Sequence, residues 1–558
     1  MPLVPPDQEL MVRTPPPSAA KRPRTQRDAP EQVDLNTVSV LDKVHGNIDL
    51  SGALKSIVDT AQFQRLRRIR QLGAVYRVYP CAGHSRFEHS LGVCHLAGKL
   101  MRHLKAQVNS SELDFVVTDV DVLCVEIAAL CHDLGHGPFS HLFDGKVIPK
   151  LMAGRTTDWK HEDASTEMFD YLLAQNEHVE LTLRKYGLAD VDFAFIKEAI
   201  DGKARGPDNK KIGRVGGKAF LYDIVSNKKD GFDVDRFDYF LRDSTYTDVA
   251  IQFNARSLDR IINSARVMLI PETGDYRIAY AEKVTGDLRS AVVARFHLHQ
   301  NVYQHKTNKV IEEIIARALV SANDNLLFVS DKEVALRMSD TITDMSAYCQ
   351  LDDEVMHEIK KKRLDGLFHE ARQWLDRIDR RQLFKMMGQI NWNPSPVEPE
   401  PHTEDEIKKA LIGNLPIDLR HLADEELMVI RCDLHHGDNE DNPLRKVYVY
   451  EHKQPNPQPR LLGRDLDVDR ITNPPKHMMT FQYYVYFIDS EKLTESFVRA
   501  IDAAIDGWSR GNQASVQKRG RVVLSPVPHK SKSAPATTSR TDSVMSARRK
   551  LSDTFPEA

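Results

Sequence analysis

The sequence predicts a mainly α-helical protein with a smaller α+β lobe toward its C-terminus and disordered ends. Three observations carry that expectation. Between about Leu35 and Gly388, apolar residues recur at threes and fours, the period of helices that bury one face. After about Asn391, the proline- and acid-rich stretch NWNPSPVEPEPHTEDE gives way to short β-branched and aromatic runs bounded by turn residues. Residues 1–34 and 511–558 are rich in Pro, Ser, Gln, Thr and basic groups. They hold too few large apolar side chains to offset the entropy of ordering. The expected units are thus a tail at 1–34, a core at 35–390, a lobe at 391–510 and a tail at 511–558.

Taken in order, the first tail carries KRPRTQR (Lys21 to Arg27), a basic cluster of the kind nuclear-import receptors read, and also an ordinary solvated charge run. In SRFEHSLGVCHLAGKLMRHLK, Leu91, Val93, Leu96, Ala97, Leu100, Met101 and Leu104 mark one helix. TDVDVLCVEIAALCHDLGHG begins with Thr118 three residues before Asp121, as in a capping box. It stops near Gly135 and is apolar on every face between, so that helix is expected to be central and buried. Thr307 to Asp324 reads as a long amphipathic helix. LMVIRCDL, KVYVYEH and FQYYVYFI read as strands, and about Ser490 to Ser509 as a closing helix.

The chain has 558 residues, 41% of them hydrophobic, enough to bury a sizeable core. Its net charge of −3 hides an asymmetry. From Arg510 onward there are ten Lys or Arg against three Asp or Glu, a surplus of seven that leaves about −10 for everything before it. Cys81, Cys94, Cys124, Cys131, Cys349 and Cys432 form no CxxC pair, which fits thiols in a reducing compartment. No apolar run of membrane-spanning length and no signal-peptide core are present.

The stretch LCHDLGHGPFSH (Leu130 to His141) places three histidines and an aspartate at the end of the apolar helix. A buried ionised aspartate is costly unless it is paired or bound to metal. One HD dipeptide alone would read as a satisfied histidine beside a helix cap. Here His89 lies in the first turn of one apolar helix, His132 and Asp133 end the next, and Asp235 follows in NKKDGFDVDRFDYFLRD. Two imidazoles and two carboxylates suit Fe, Mn, Zn or Mg better than a thiolate-loving ion. The H…HD…D order is the signature of the HD-domain phosphohydrolases. His136, His141 and His161 then gain a rationale as donors and acids around phosphate.

Across VHGNIDL, DTAQFQRLRRIRQLG, SRFEHSLGV, LCHDLGHGPFSHLFDG, FLYDIVSNKKDGFDVDRFDYFLRD and VYQHK, the chain resembles the vertebrate SAM-and-HD-domain deoxynucleoside triphosphate triphosphohydrolases. The resemblance runs from about Val44 through RRQLFKMMG and more weakly beyond. Only about 35 residues precede the core, so the SAM domain is expected to be missing. That family converts a dNTP and water to a deoxynucleoside and inorganic triphosphate. The resemblance implies that His89, His132, Asp133 and Asp235 hold a transition metal (Fe, Mn or Zn), with Asp133 sharing a Mg ion. Water activated there would attack the α-phosphorus, and His141 would protonate the departing 5′-oxygen. His136, His161, Arg86, Arg236 and Arg295 would hold the triphosphate. Better-known members have Lys at Arg236, a change in geometry though not in charge. Gln71 and Asp243 match positions for the sugar 3′-hydroxyl, Tyr239 and Tyr303 match those packing on the sugar, and Leu72 and His299 belong to the same substrate set.

The resemblance further implies a homotetramer assembled from dimers by activating nucleotides. Asp59, Gln64 and Arg67 match a guanine site for GTP or dGTP, with Arg381 and Lys385 at its phosphates. Val78, Arg260, Lys283, His305 and Lys306 match a second, dNTP-binding activator site. Leu41, Val38 and Ala281 depart from the family, replacing an Asn, a Lys and an Arg. The KRPR cluster resembles the family's nuclear signal, so a nuclear location is expected, and the implied role is lowering dNTP pools, for genome balance or antiviral defence. Two other readings stay open. One is a nucleotide phosphatase or phosphodiesterase of the wider HD group. The other is a silent protein that binds single-stranded nucleic acid or a guanine nucleotide through its basic tail and QFQRLRRI.

Overall fold

In the computed structural model, residues 37–153, 159–394, 400–439, 441–454, 456–464 and 478–517 are described. The basic cluster at 21–27 and the tail from 518 lie outside them. The chain opens with a hairpin, β1 (Val38–Asp42) and β2 (Gly46–Leu50), paired from Val38↔Leu50 to Asp42↔Gly46. Its turn is closed by Asp42, whose Oδ1 accepts from the backbone N–H of Val44 (2.9 Å) and His45 (2.8 Å). The core helices that matter for the site are α1 (Arg86–Asn109), α2 (Asp119–Cys131), α3 (His161–Gln175) and α4 (Val234–Thr247). A second hairpin, β3 (Arg266–Leu269) and β4 (Tyr276–Ala281), precedes α5 (Thr285–Leu298) and α6 (Lys306–Ala322).

The almost wholly helical stretch expected from about 35 to 388 is mainly helical but also holds these two hairpins and a third at 327–337. In β2, buried Ile48 and Leu50 alternate with exposed Asn47 and Asp49, so the local period is two. Hairpins this short are easily lost against helical surroundings.

The lobe sheet takes β5 (Lys385–Trp392), β6 (Leu427–His435), β9 (Met479–Phe487) and β10 (Ser515–Gln517) in the order β10–β5–β9–β6, all antiparallel. Strand β5 thus crosses residue 390, where composition placed a boundary. Between β6 and β9, β7 (Tyr448–Tyr450) and β8 (Arg460–Leu461) leave the lobe and extend the β3–β4 hairpin, β7 running parallel to β4. The closing helix begins at Glu495 rather than Ser490, because Thr494 Oγ1 caps it by accepting from Phe497 N (3.2 Å).

Period two decides how the lobe meets the core. In β9, Phe481, Tyr483, Val485 and Phe487 turn toward Trp392, Phe497 and Trp508 within the lobe. Tyr484 and Tyr486 turn the other way into the main core, beside Ile430 and Cys432 of β6. Each fully buried aromatic contributes about 1.5–3 kcal/mol. Tyr484 Oη also donates to the Gln304 carbonyl (3.0 Å) and Tyr486 Oη to that of Lys306 (2.8 Å), which fixes the lobe to the start of α6. Among the described residues no helix is long and apolar enough to cross a membrane.

Candidate metal centre and nucleotide site

Three helix ends meet at the centre. α1 starts at Arg86 and carries His89 in its first turn. α2 opens with the expected capping box, Thr118 N–H to Asp121 (2.8 Å) and Asp121 N–H to Thr118 Oγ1 (3.1 Å), and ends so that His132 is its cap residue. α4 starts after Asp233, whose carboxylate accepts from Arg236 N (2.9 Å), and presents Asp235 in its first turn. His132 Nδ1 lies 2.7 Å from the Ala129 carbonyl and His89 Nδ1 2.7 Å from Asp238 Oδ2. Each Nδ1 therefore carries a hydrogen as a donor, so the Nε2 lone pair is the one a metal can take once that nitrogen gives up its proton.

Those lone pairs converge. His89 Nε2 lies 3.0 Å from Asp235 Oδ1 and 3.5 Å from Asp133 Oδ2; His132 Nε2 lies 3.4 Å from Asp133 Oδ1 and 3.5 Å from Asp235 Oδ1. Both Nε2 atoms are buried and neither is aligned in a hydrogen bond. Buried polar atoms without partners are costly, and a divalent cation shared among two imidazoles and two carboxylates satisfies all of them. His89, His132 and Asp133 lie close enough to share such an ion, and Asp235 Oδ1 stands beside both imidazoles as a fourth donor.

Burial alone would lower the pKa of His89, but Asp235 and Asp238 outweigh it and push it up to about 10. Burial likewise opposes, and Asp133 and Asp235 overcome, so that His132 is also raised. Against their own burial, Asp133 is held well below the carboxylate range by Arg86 and His132, and Asp235 is held down by His132 and His89. With its value raised to about 10, the His89 ring is protonated at neutral pH in the ion-free protein. A metal must displace the Nε2 proton of that ring, so affinity falls as pH falls. We expect calorimetry in buffers of different ionisation enthalpy to show at least about one proton released per ion near pH 7.

Next to the centre lies a cavity of about 620 Å³. His132, Asp133 and Asp235 form one part of its wall, and His136, His141 and His161 another. The rings of His136 and His161 stack at 3.9 Å, and His141 lies 4.9 Å and 5.1 Å from them. Burial, with the charges of Arg86 and His161, lowers the pKa of His136 well below its usual value. Asp144 Oδ2 stands 2.6 Å from His161 Nδ1 and 3.7 Å from His141 Nδ1. These two histidines hold its carboxyl low in spite of burial. The side chain of His141 is 70% exposed, against 17% for His161 and 1% for His136, so His141 is the one of the three most open to solvent.

Gln71, Leu72, Arg86, Tyr239, Asp243, Arg295, His299 and Tyr303 line the same cavity. Arg86 reaches Asp133 Oδ2 (2.6 Å), Ser140 Oγ (2.9 Å) and the Gln71 carbonyl (3.3 Å). Asp243 accepts from Tyr303 Oη (2.5 Å) and pairs with His84 Nε2 (2.8 Å). Gln71 Oε1 and His299 Nδ1 are buried without partners, as expected of groups awaiting a ligand. His299 and Tyr303 bound a five-residue π-helical turn between α5 and α6, a local irregularity that often marks functional sites. Two of the predicted metal and substrate residues do not line the cavity: His89 is fully buried beside Asp133 and Asp235, and Arg236 lies against Gly231 and Gly437.

The predicted activator residues fall in separate surface groups. Asp59 caps the helix Gly52–Val58 and pairs with Lys55. Arg67 donates to Gln64 Oε1 (2.7 Å) and covers the Phe87 ring at 3.5 Å. A second groove of about 620 Å³ joins Val38, Lys55 and Asp59 with Lys185. Arg260 donates to the Lys283 carbonyl (3.2 Å), and Arg381 to that of Arg77 (3.2 Å), next to Val78. His305 caps α6 ahead of Lys306, and Lys385 opens β5. Leu41 is 82% exposed, whereas Ala281 is wholly buried.

Sequence reasoning missed the second layer. Asp238, with no exposed surface, accepts from His45 Nε2 (2.7 Å), His89 Nδ1 (2.7 Å) and Arg242 Nε (2.8 Å); Arg242 also donates to Asp42 Oδ2 (2.8 Å). Asp238 and Asp144 each follow a predicted site residue by three positions, on the same helical face, and that spacing was the available signal. Nothing local points to His45.

An HD domain model matches residues 86–199, the span that holds His89, His132 and Asp133. The chain is 41% identical over 420 residues to "Deoxynucleoside triphosphate triphosphohydrolase SAMHD1" of Gallus gallus, covering 73% of this chain and 66% of the relative. It is 38% identical over 442 residues to the protein of that name from Homo sapiens, covering 76% and 67%. The SAMHD1 homolog of Dictyostelium discoideum is 35% identical, covering 62% and 60%. The chain thus spans about two thirds of the length of the curated relatives it matches. With such identity over two thirds of the relatives' length and an HD domain across α1 and α2, the chain belongs to the HD-domain deoxynucleoside triphosphate triphosphohydrolase family.

Proposed function

We propose that this protein hydrolyses dNTPs to a deoxynucleoside and inorganic triphosphate. One observation carries the reading: a single cavity joins the His/Asp centre, three histidines, Arg86, Arg295 and the Gln71–Asp243–Tyr303 group. Fe, Mn or Zn at the four-residue centre, with Mg beside it, would polarise a phosphoryl oxygen and lower the pKa of a coordinated water. The chain's own residues do the rest. Arg86, which is buried, and Arg295, which is half-buried, neutralise phosphate charge from the cavity wall through charge-assisted hydrogen bonds. His136, kept neutral by its surroundings, donates one hydrogen bond. His141, exposed and beside Asp144, is placed to deliver a proton to the 5′-oxygen as it leaves. Tyr239 and Tyr303 narrow the wall where a ribose 2′-hydroxyl would have to fit.

We further infer control by nucleotides. The Asp59, Gln64 and Arg67 surface supports a guanine-nucleotide site, Arg260 and Lys283 a dNTP site, and both are proposed to promote a tetramer. Val38, in the groove beside Asp59, and the exposed Leu41 farther along β1 make this the place where control can have changed. The cluster at Lys21–Arg27 supports a nuclear location.

Incubation with dATP, with and without GTP or dGTP, tests both. Anion-exchange chromatography should give inorganic triphosphate and deoxyadenosine in equal amounts, and only with a guanine nucleotide present. The same products without activator would retain the enzyme and remove the control. Orthophosphate in place of triphosphate would favour the wider HD phosphatase group, and no product from metal-loaded protein would sink the proposal.

A further inference from the structure

The turn after β6 brings the C-terminal lobe against the phosphate-side arginines. Arg295 Nη1 donates to the His435 carbonyl (2.6 Å), and Arg295 Nη2 lies 3.5 Å from His435 Nε2. The ring of His436 stacks on Phe296 of α5 at 4.4 Å and 7°, which seats the turn. Gly437, at φ +125°, passes so close that a Cβ there would stand 3.4 Å from Arg236 Nη1 and 3.5 Å from Arg295 Cδ. The turn therefore bonds to Arg295, which lines the cavity, and lies beside Arg236, two of the three arginines assigned to the triphosphate.

The tautomer of His435 follows from its other edge. Its Nδ1 faces two backbone donors, Gly437 N–H and Asn439 N–H, each at 3.3 Å. Nδ1 must accept, so Nε2 carries the hydrogen. Burial, reinforced by Arg295, pushes the pKa of His435 down to about 4, which keeps the ring neutral. Nε2–H and Arg295 Nη2–H are then two donors 3.5 Å apart that cannot bond to each other. An oxygen about 2.9 Å from each would satisfy both.

We propose that His435 is a triphosphate-binding residue supplied by the C-terminal lobe, its Nε2–H and the Arg295 guanidinium forming a two-donor fork for one phosphate oxygen. The substrate site is then shared between core and lobe, and lobe docking through β9 and the His436–Phe296 stack becomes a condition for phosphate binding. This deepens the reading above and rests on it.

The test is calorimetric binding of inorganic triphosphate, and separately of deoxyadenosine, to the metal-loaded full chain. His435→Ala should weaken triphosphate about tenfold and leave deoxyadenosine unchanged; His435→Gln, which keeps a donor, should stay within about twofold of the original. Equal triphosphate affinity in His435→Ala would overturn the proposal. A measurement on the unaltered protein avoids any folding defect: triphosphate should protect His435 from diethylpyrocarbonate, read by mass spectrometry. Lack of protection while triphosphate binds would overturn it too. Failure of the unaltered protein to bind triphosphate would instead bring down the functional reading, and this inference with it.

Discussion

Asp133→Ala is expected to abolish hydrolysis and to destabilise the fold at the same time. Asp133 supplies an oxygen to the centre and also balances Arg86, which is 4% exposed, through a 2.6 Å contact. Removing a ligand should cost more than the roughly 10–100-fold that loss of an outer partner already costs. Removing one partner of a buried ion pair costs about 3–5 kcal/mol, here toward the lower end, because Ser140 Oγ and the Gln71 carbonyl still accept from Arg86. His132→Ala should lose activity to the same degree with a smaller stability cost, since His132 balances no buried cation. Product formation, bound-metal analysis and denaturant midpoints together check this. Activity near the original in either variant would mean that the four residues are not the reacting centre.

The second large effect is expected at Asp238, a residue that touches no substrate. Its carboxylate orients His89 and takes charge from Arg242, which has no exposed surface. Asp238→Ala should lower metal affinity about 10–100-fold and cost about 3 kcal/mol in stability, the remaining Asp42–Arg242 pair limiting the damage. A companion change reaches the same network without altering charge. Gly92 of α1 lies so close that any Cβ would collide with Asp238 Oδ1 and Arg242, so Gly92→Ala should reproduce the metal-affinity loss. Metal titration of the two variants separates orientation of the ligand from simple loss of charge. Unchanged metal affinity in both would show that His89 needs no support from this side.

Both predictions bear on how far local pattern reaches. The capping box at Thr118, the two apolar helices, the HD pair and the strand runs at 427–435 and 479–487 are all short-range features. Their spacing fixes a period or a turn within a dozen residues, and the motifs around them identified the family. The β1–β2 hairpin was lost because five-residue strands give too few repeats to outvote helical neighbours. His45 was lost for a different reason: its partner Asp238 is 193 positions away.

By itself, then, the sequence determined that the helices carrying His89 and His132 form and where α2 begins, though it ran α2 on to about Gly135 where the structure ends it at Cys131. Tertiary structure alone decided which nitrogen of His89 and His132 is left for a metal, since that depends on Asp238 and on the Ala129 carbonyl. It also decided that the lobe reaches Arg295, through alternate faces of β9 packed on two cores. The physical reason is that a side chain's tautomer, charge and reach are set by whatever is packed against it. At this centre those neighbours come from chain segments far apart in sequence.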